Sequence, residues 1–346
     1  MYLNSIIKTA FKILVLLFLL FSCGAKPPEK ITTSKIYHKN GQIKYYVTYK
    51  NGLLDGISEE YYDNGNIKSS GKYINNNKHG EWSYYYKDGS IDQLRYYLNG
   101  KSSGKWVYYY LDGSVKQEVE YSDGYKHGAY IRYDENQNIL SSRKYSNGNE
   151  DGKWISYYKN GQIKYERNYD NGLEDGKWIS YYKNGQIKYE RNYDNGLEDE
   201  KWISYYKNGQ VEKISIYKEG LKNGKWLYYF YGGQLVSEKN YKHAVEHGQH
   251  IEYYQNGNIK SKGNYKTGKK SGLWLSYYLN GQIKERINYI GGKYDGENIV
   301  YYINGDVKSK GYWKNGKKDN LWSWYYDNGQ LVEEITYKDG EISWYD

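Results

Sequence analysis

The sequence predicts an all-β protein, an elongated antiparallel array of β-hairpin repeats with a period of 24 residues and about 13 units. Three observations predict this class. Glycines recur at a fixed interval, Asn-Gly pairs separate short apolar runs, and 50 tyrosines and 11 tryptophans stand against four phenylalanines. Aromatic residues suit a pleated, half-buried strand, and glycine supplies the positive φ angles that tight turns require.

The period is clearest at residues 154–201, where 24 residues occur twice with one change, Gly176 becoming Glu200. Stepping by 24 from Gly161 in both directions reaches 13 positions without an insertion, and 12 of them are glycine. A second glycine, Gly172, recurs in 11 of its 13 equivalent positions. Such a period indicates a repeat protein in which each unit is stabilised by its neighbours.

Each unit is predicted to be one hairpin. Residues 154–158 and 163–169 are strand-length runs rich in aromatic and β-branched residues, and Lys-Asn-Gly-Gln lies between them. The longer turn at residues 170–176 is predicted to return the chain to the next unit. Successive hairpins would then run on as a meander of about 26 strands.

Two registers remain open for the hairpin. A two-residue Asn-Gly turn pairs Tyr158 with Ile163 and places Trp154 on the face of that pair. A three-residue turn with a bulge pairs Tyr157 with Ile163 and places Trp154 on the opposite face. The sequence favours neither.

The N-terminus predicts export. Two lysines precede an apolar run at residues 13–21, the pattern of a secretory signal, and a small residue precedes Cys23, the only cysteine. This ending resembles the bacterial lipoprotein signal, so we predict a signal peptide over residues 1–22 and lipidation of Cys23. A flexible tether over residues 23–36 would lead to the repeat array at 37–346. A plain signal peptide or an uncleaved signal anchor is the alternative.

The segment Tyr169–Gly185 reads Tyr-x-x-Gly-x-x-x-Gly-x-Trp-x-x-Tyr-Tyr-x-Asn-Gly and resembles the variant MORN repeat. His-Gly pairs at 79–80, 127–128 and 247–248 resemble the turn of that repeat. The resemblance covers residues 37–346. The resemblance implies an array that serves membrane attachment, lipid contact or protein assembly. The variant repeat is also found in bacterial YwqK-type antitoxins. The positions that depart from the pattern are Asp134, Gln137, Glu200, His250 and Asn298.

One stretch matches a metal-site pattern. His243, Glu246 and His247 have the spacing of an inverted zinc-peptidase motif, with His250 three residues further on. That motif works on a helix, where the spacing puts both imidazoles on one face, whereas the repeat frame places these residues in a turn. We predict turn histidines, no catalytic residue, no metal, no cofactor, and a protein that is not an enzyme.

The recurring aromatic residues have two interpretations. In the first, the rings of neighbouring hairpins pack on one another and hold the array together. In the second, some rings stay open and stack on sugars or cage a quaternary amine, as in the choline-binding repeats that residues 81–90 and 105–114 resemble. The candidate binding aromatics are Trp82, Trp106, Trp154, Trp178, Trp202, Trp226, Trp274, Trp322, Tyr157, Tyr181 and Tyr205. The predicted turn glycines are Gly161, Gly172, Gly185 and Gly196.

The predicted function is a non-enzymatic, envelope-anchored repeat scaffold that mediates protein–protein interaction with an unidentified partner. The alternatives are an antitoxin- or immunity-type protein that neutralises a toxin, and a carbohydrate- or wall-binding module. The formal net charge is +9, and 41 acidic residues are interleaved with 50 basic ones. Because no basic face stands out, we expect no nucleic-acid partner. The membrane contact is expected to be the lipid at Cys23.

Overall fold

The computed structural model describes residues 28–343, so the predicted signal peptide and Cys23 lie outside the described residues. All regular secondary structure in this part of the chain is β-strand, in 31 segments. Five segments have two residues, which leaves 26 strands of six or more. The prediction of an all-β hairpin repeat is confirmed. Within residues 28–343 there is no helix of the length and apolarity needed to cross a bilayer.

The strands follow one another along the chain at regular intervals. Their bounds are β1 (Ile31–Tyr37), β2 (Ile43–Lys50), β3 (Leu53–Tyr61), β4 (Ile67–Ile74), β5 (Asn77–Tyr85), β6 (Ile91–Leu98), β7 (Lys101–Tyr109), β8 (Val115–Ser122), β9 (Tyr125–Tyr133), β10 (Ile139–Ser146), β11 (Asn149–Glu150), β12 (Gly152–Tyr157), β13 (Ile163–Asp170), β14 (Leu173–Glu174), β15 (Gly176–Tyr181), β16 (Ile187–Asp194), β17 (Leu197–Tyr205), β18 (Val211–Lys218), β19 (Leu221–Lys222), β20 (Gly224–Tyr229), β21 (Leu235–Lys242), β22 (Val245–Glu246), β23 (Gly248–Tyr253), β24 (Ile259–Lys266), β25 (Lys269–Tyr277), β26 (Ile283–Ile290), β27 (Lys293–Tyr301), β28 (Val307–Lys314), β29 (Lys317–Tyr325), β30 (Leu331–Lys338) and β31 (Glu341–Ile342).

The chain divides into two units, Met1–Tyr125 and Lys126–Asp346. In the first unit, each of the strands β1 to β7 pairs antiparallel with the strand that follows it. In the second unit, β9 to β31 are paired in the same sequential, antiparallel way. Each unit is therefore a meander of hairpins, as predicted.

The Lys-Asn-Gly-Gln turn is a three-residue loop with a bulge. Tyr157 pairs with Ile163. The amide of Tyr158 donates to the carbonyl of Gln162 at 2.8 Å, and the amide of Gly161 donates back to the carbonyl of Tyr158 at 2.9 Å. Gly161 has a φ of +82°, and its neighbour in the Asn-Gly pair does not have a positive φ. The second of the two predicted registers is therefore the one adopted.

The turn that connects one hairpin to the next is shorter than the loop predicted at residues 170–176. Asn171 and Gly172 have φ angles of +47° and +88°, so they form a two-residue turn with two left-handed residues, which suits the twist of a hairpin. β14 follows at once, and a bulge at Gly176, with a φ of +72°, leads into β15. The predicted turn glycines all have positive φ: +82° at Gly161, +88° at Gly172, +85° at Gly185 and +80° at Gly196.

The first strand begins earlier than the predicted start of the array at residue 37. β1 covers Ile31–Tyr37 and pairs with β2 from Ile31 opposite Lys50 onward. Residues 31–36, assigned to the tether from the prolines and lysines before them, therefore belong to the sheet. Their isoleucine and threonine side chains are β-branched, which suits an extended strand.

Candidate functional site

The recurring tryptophans lie on one face of the sheet, beside the tyrosine near the end of each second strand. In the duplicated hairpins, the ring of Trp178 is 4.5 Å from that of Tyr193, and the ring of Trp202 is 4.5 Å from that of Tyr217. Tyr193 also lies 5.4 Å from Trp202, so each tyrosine bridges two tryptophans. The first unit contains the same arrangement. We call this series of rings, within each unit, the aromatic ladder.

Burial of the indoles decides between the two interpretations of the recurring aromatic residues. Only Trp154 of the eight predicted binding tryptophans is half-buried. The other seven are 3–7% exposed: Trp82, Trp106, Trp178, Trp202, Trp226, Trp274 and Trp322. Their faces are covered by protein, so they are not accessible for stacking on a sugar. The ladder holds neighbouring hairpins together, as in the first interpretation of the sequence.

Each buried indole also needs a partner for its N–H group. Nε1 of Trp178 donates to the carbonyl of Asn168 at 3.1 Å, and Nε1 of Trp202 donates to the carbonyl of Asn192 at 3.0 Å. The accepting carbonyl lies in the preceding strand, next to the register shift between Glu190 and Asn192 in the second case. The indole N–H of five other tryptophans also donates to the backbone carbonyl of the residue ten positions earlier: Trp82, Trp106, Trp226, Trp274 and Trp322.

The faces of the indoles are covered in two ways. The guanidinium of Arg167 is 4.4 Å from the ring of Trp178, and that of Arg191 is 4.6 Å from Trp202, which is cation–π distance. At the same repeat position other hairpins have glycine, and the ring lies directly on the backbone. A Cβ atom added to Gly263 would be 2.2 Å from the nearest ring atom of Trp274.

The three predicted binding tyrosines are half-buried on the opposite face: Tyr157, Tyr181 and Tyr205. The hydroxyl of Tyr181 donates to Glu166 at 2.9 Å. Burial, followed by this hydrogen bond, raises the pKa of Tyr181 to about 12. Lys153 forms an ion pair with the same carboxylate, and its hydrogen bond lowers the pKa of Glu166. Tyr205 makes the equivalent bond one hairpin later, at 3.1 Å. These phenols therefore connect consecutive hairpins.

A second set of tyrosines was not singled out by the sequence. The hydroxyl of Tyr158 donates to the carbonyl of Tyr181 at 2.8 Å, and that of Tyr182 donates to the carbonyl of Tyr205 at 2.8 Å. The turn residue Asn160 adds a bond to the carbonyl of Lys183 at 3.3 Å. The only sequence signal for these residues is their recurrence, since Tyr-Tyr and Asn-Gly return every 24 residues.

The histidine motif lies in a turn, as its repeat position predicted. His243 and Ala244 have φ angles of +48° and +67°, and the two residues after them form β22, so the imidazoles are not presented by a helix. His250 occupies a tryptophan position in the aromatic ladder, 5.3 Å from the ring of Tyr265. Burial lowers the pKa of His250. Over residues 28–343, no three His, Cys, Asp or Glu side chains are grouped so that they could hold a metal ion.

Four exposed aliphatic side chains of the second unit recur at one repeat position. Four consecutive hairpins of the second unit expose an aliphatic residue directly after the two-residue turn that connects one hairpin to the next: Leu173 at 50%, Leu197 at 51%, Leu221 at 45% and Val245 at 44%. Consecutive members are two strands apart, or about 10 Å. The same repeat position is Asn149 before this series and Lys269 after it. We call these four residues the exposed aliphatic row.

These contacts define a protein of tandem β-hairpins joined by an aromatic ladder. The family model described as MORN repeat variant matches residues 32–51, 54–75, 78–99, 103–123, 150–171, 174–195, 201–219, 222–243, 246–267, 270–290 and 318–339. The chain belongs to the MORN repeat variant family. The two longest unmatched stretches between matched repeats, 124–149 and 291–317, contain Tyr130 and Asn298, which replace the ladder tryptophan.

Two solved structures are similar at low identity. One, described as TcdB2-TccC3-Cdc42, is 11% identical with a TM-score of 0.18, over 89% of this chain and 18% of that chain. The other is a Photorhabdus luminescens Tc holotoxin pore, 13% identical with a TM-score of 0.18, over 90% of this chain and 21% of that chain. The chain thus spans about a fifth of the length of these proteins. No curated protein sequence matches the chain.

Proposed function

We propose that the chain is a non-enzymatic scaffold that binds a protein partner and is anchored to the bacterial cell envelope through Cys23. The exposed aliphatic row is the observation that carries this proposal. Four apolar side chains held at one repeat position stand out on a chain in which 26% of the residues are charged. Contiguous exposed apolar residues rimmed by polar ones are typical of protein contact sites.

The use of the recurring aromatic residues supports the same proposal. Their rings and hydroxyls are engaged between neighbouring hairpins, so the repeated motif supplies the framework. Residues that differ from hairpin to hairpin are left for a partner, which is how repeat proteins commonly gain a binding surface. A wall-binding module would instead need open rings, and seven of the eight candidate indoles are buried.

The binding part of the proposal is tested by cross-linked pull-down from envelope fractions. In the row variant, Leu173, Leu197, Leu221 and Val245 are replaced by serine. The control replaces four exposed residues at the hairpin turns of the same part of the chain by serine, namely Lys159, Lys183, Lys207 and Tyr231. A specific protein should be captured by the wild type and the control, and lost in the row variant. Capture that is equal in all three would contradict the proposed surface.

The anchoring part rests on the leader, where two lysines, an apolar run and a small residue precede Cys23. Metabolic labelling with a fatty-acid probe should label the wild type and the control Ser22→Ala. Cys23→Ser should lose the label and leave the membrane fraction. Labelling that persists in Cys23→Ser would show that the anchor is not at this cysteine.

A further inference from the structure

The exposed aliphatic row alternates with charged side chains along one edge of the second unit. At each of its four turns, the aliphatic residue pairs with the last residue of the strand before the turn. These partners are two aspartates followed by two lysines, and all four are exposed: Asp170, Asp194, Lys218 and Lys242. We call these four residues the charged row. Its first half is acidic and its second half is basic.

The two rows lie on the sheet face opposite the aromatic ladder. The ladder tyrosine Tyr193 pairs with Glu198, and the next pair toward the turn is Asp194 with Leu197. Because side chains alternate between the two faces of a strand, Asp194 and Leu197 point away from the ladder. The same register recurs at the other three turns. The eight side chains therefore share one face, with charged and aliphatic residues alternating about every 5 Å from strand to strand.

The aliphatic side chains rest on the backbone of the neighbouring turn. A Cβ atom added to Gly196 would be 3.6 Å from Cδ2 of Leu173, and one added to Gly220 would be 3.6 Å from Cδ2 of Leu197. Each of these leucines is thus held from one side while about half of its surface stays exposed. A partner would lose little free energy in ordering side chains that are already placed.

The charges beside the aliphatic row are available to a partner. Within residues 28–343, none of the four charged-row residues forms an ion pair. Two residues after the aliphatic row, the acidic half has Asp175 and Asp199, where the basic half has Asn223 and His247. The turns of the basic half include one acidic residue, Glu219, against the two lysines. The two halves therefore differ in the sign of their charge.

We propose that the exposed aliphatic row is the contact surface of a homodimer, in which it packs antiparallel against the same row of a second copy of this chain. The inference rests on the proposed function, because it accepts the row as a protein contact site and identifies the partner. A two-fold axis brings the acidic half of each copy opposite the basic half of the other, with aliphatic side chains between them. A parallel arrangement would place like charges together, so the charges select the antiparallel one.

The test is sedimentation velocity of the purified full chain over a range of micromolar concentrations. A contact along one edge is smaller than the standard interface of about 1,600 Å², so we expect a weak dimer with a Kd in the micromolar range. The mass should rise from the 41.0 kDa of one chain toward twice that value as the concentration increases. The row variant, with its four serines, should stay at the mass of one chain.

Charge reversal tests the antiparallel arrangement. Asp170→Lys with Asp194→Lys makes the charged row wholly basic, and Lys218→Asp with Lys242→Asp makes it wholly acidic. Each double variant alone should bind itself about tenfold or more weakly than the wild type, because like charges then face one another. An equimolar mixture of the two double variants should form dimers again, since opposite charges meet along the whole row.

The matched control carries Lys183→Asp and Lys207→Asp, which reverse two exposed lysines at hairpin turns of the same unit and change the net charge as much as the acidic variant does. It should dimerise like the wild type. Circular dichroism verifies that each variant keeps its β-structure. The proposal is overturned if the wild type stays at the mass of one chain, or if the row variant or both charge variants dimerise as well as the wild type. A monomeric wild type that still captures a different protein through the row would overturn the dimer and leave the scaffold function standing.

Discussion

The residue eleven positions before a ladder tryptophan, in the preceding strand, affects how that indole is covered. Arginine places a guanidinium on the ring, as Arg191 does at 4.6 Å from Trp202. Glycine lets the ring lie on the backbone, as at Gly263. Before Trp226 the residue is Ser215, which is neither arginine nor glycine. Because the surrounding hairpins are so similar, single substitutions at these positions isolate one physical effect at a time.

The one sequence difference between the duplicated hairpins, Gly176 against Glu200, changes the conformational free energy of the backbone. Glu200 has a φ of +54°, where the equivalent Gly176 has +72°. The left-handed region costs a residue with a Cβ about 1–2 kcal/mol, partly offset by about 0.5–1 kcal/mol of extra freedom that glycine gives the unfolded chain. We expect Glu200→Gly to raise the free energy of unfolding by about 0.5–1 kcal/mol. Urea denaturation followed by tryptophan fluorescence measures this.

The reverse change, Gly176→Glu, should lower the free energy of unfolding by a similar amount. The pair tests the backbone explanation directly, since both changes involve the same side chain at the same repeat position. If both variants are destabilised, the charge of Glu200 matters more than its φ.

The close contact of Gly263 with the indole of Trp274 predicts a larger change in the free energy of unfolding. A Cβ at Gly263 would be 2.2 Å from Trp274, so Gly263→Ala forces the ring or the strand to move. Overpacking of this kind costs about 1–3 kcal/mol. Ser215→Ala, at the same repeat position two hairpins earlier, adds no atom and removes a hydroxyl that has no hydrogen-bond partner among residues 28–343. We expect the free energy of unfolding to fall in the first variant and to stay level in the second. Equal stabilities in urea would contradict this packing.

The hairpins are joined by hydrogen bonds that the turns align. The hydroxyl of Tyr206 donates to the carbonyl of Tyr229 at 2.7 Å, and equivalent bonds recur in both units. Phe230 occupies this position in the next hairpin, with the same turn but no hydroxyl. Phenylalanine is therefore tolerated, and the bond contributes to stability without deciding the fold.

Phe230→Tyr should supply the missing hydroxyl to the carbonyl of Tyr253 and raise the free energy of unfolding by about 1 kcal/mol. Tyr182→Phe, which removes the bond to the carbonyl of Tyr205, should lower it by about 1 kcal/mol. Both variants keep the ring, so packing is unchanged. Thermal unfolding of the two variants beside the wild type measures the effect. If both variants shift the unfolding temperature in the same direction, the tyrosine hydroxyl bond does not determine the change in stability.

The strands and turns were predictable because their signals are local. Asn-Gly marks both turns, and aromatic or β-branched runs mark the strands. The register was not predictable, since Asn-Gly supports either one or two left-handed residues. The first turn has one, at Gly161, and the second has two, at Asn171 and Gly172. Burial of the indoles depends on contacts with the next hairpin, which no single hairpin sequence reveals.

Stability in each unit is a sum over contacts between neighbouring hairpins, as expected of repeat proteins. Phenols contribute to many of these contacts, and the chain has 50 tyrosines. Burial is the largest cause of the raised pKa of Tyr181, Tyr217 and Tyr253, each of which reaches about 12. The protein therefore holds protons on phenols that the unfolded chain would release near pH 10.

This difference predicts alkaline unfolding. A raised pKa in the folded state contributes stability that is complete below pH 10 and is lost as the pH rises to about 12. We expect the free energy of unfolding in urea to fall across this window, and tyrosinate absorbance to rise together with the loss of β-structure. Tyr181→Phe removes one shifted group, so its stability should fall less steeply with pH. Tyrosines that ionise near pH 10 while circular dichroism stays constant would show that these phenols are not held by the fold.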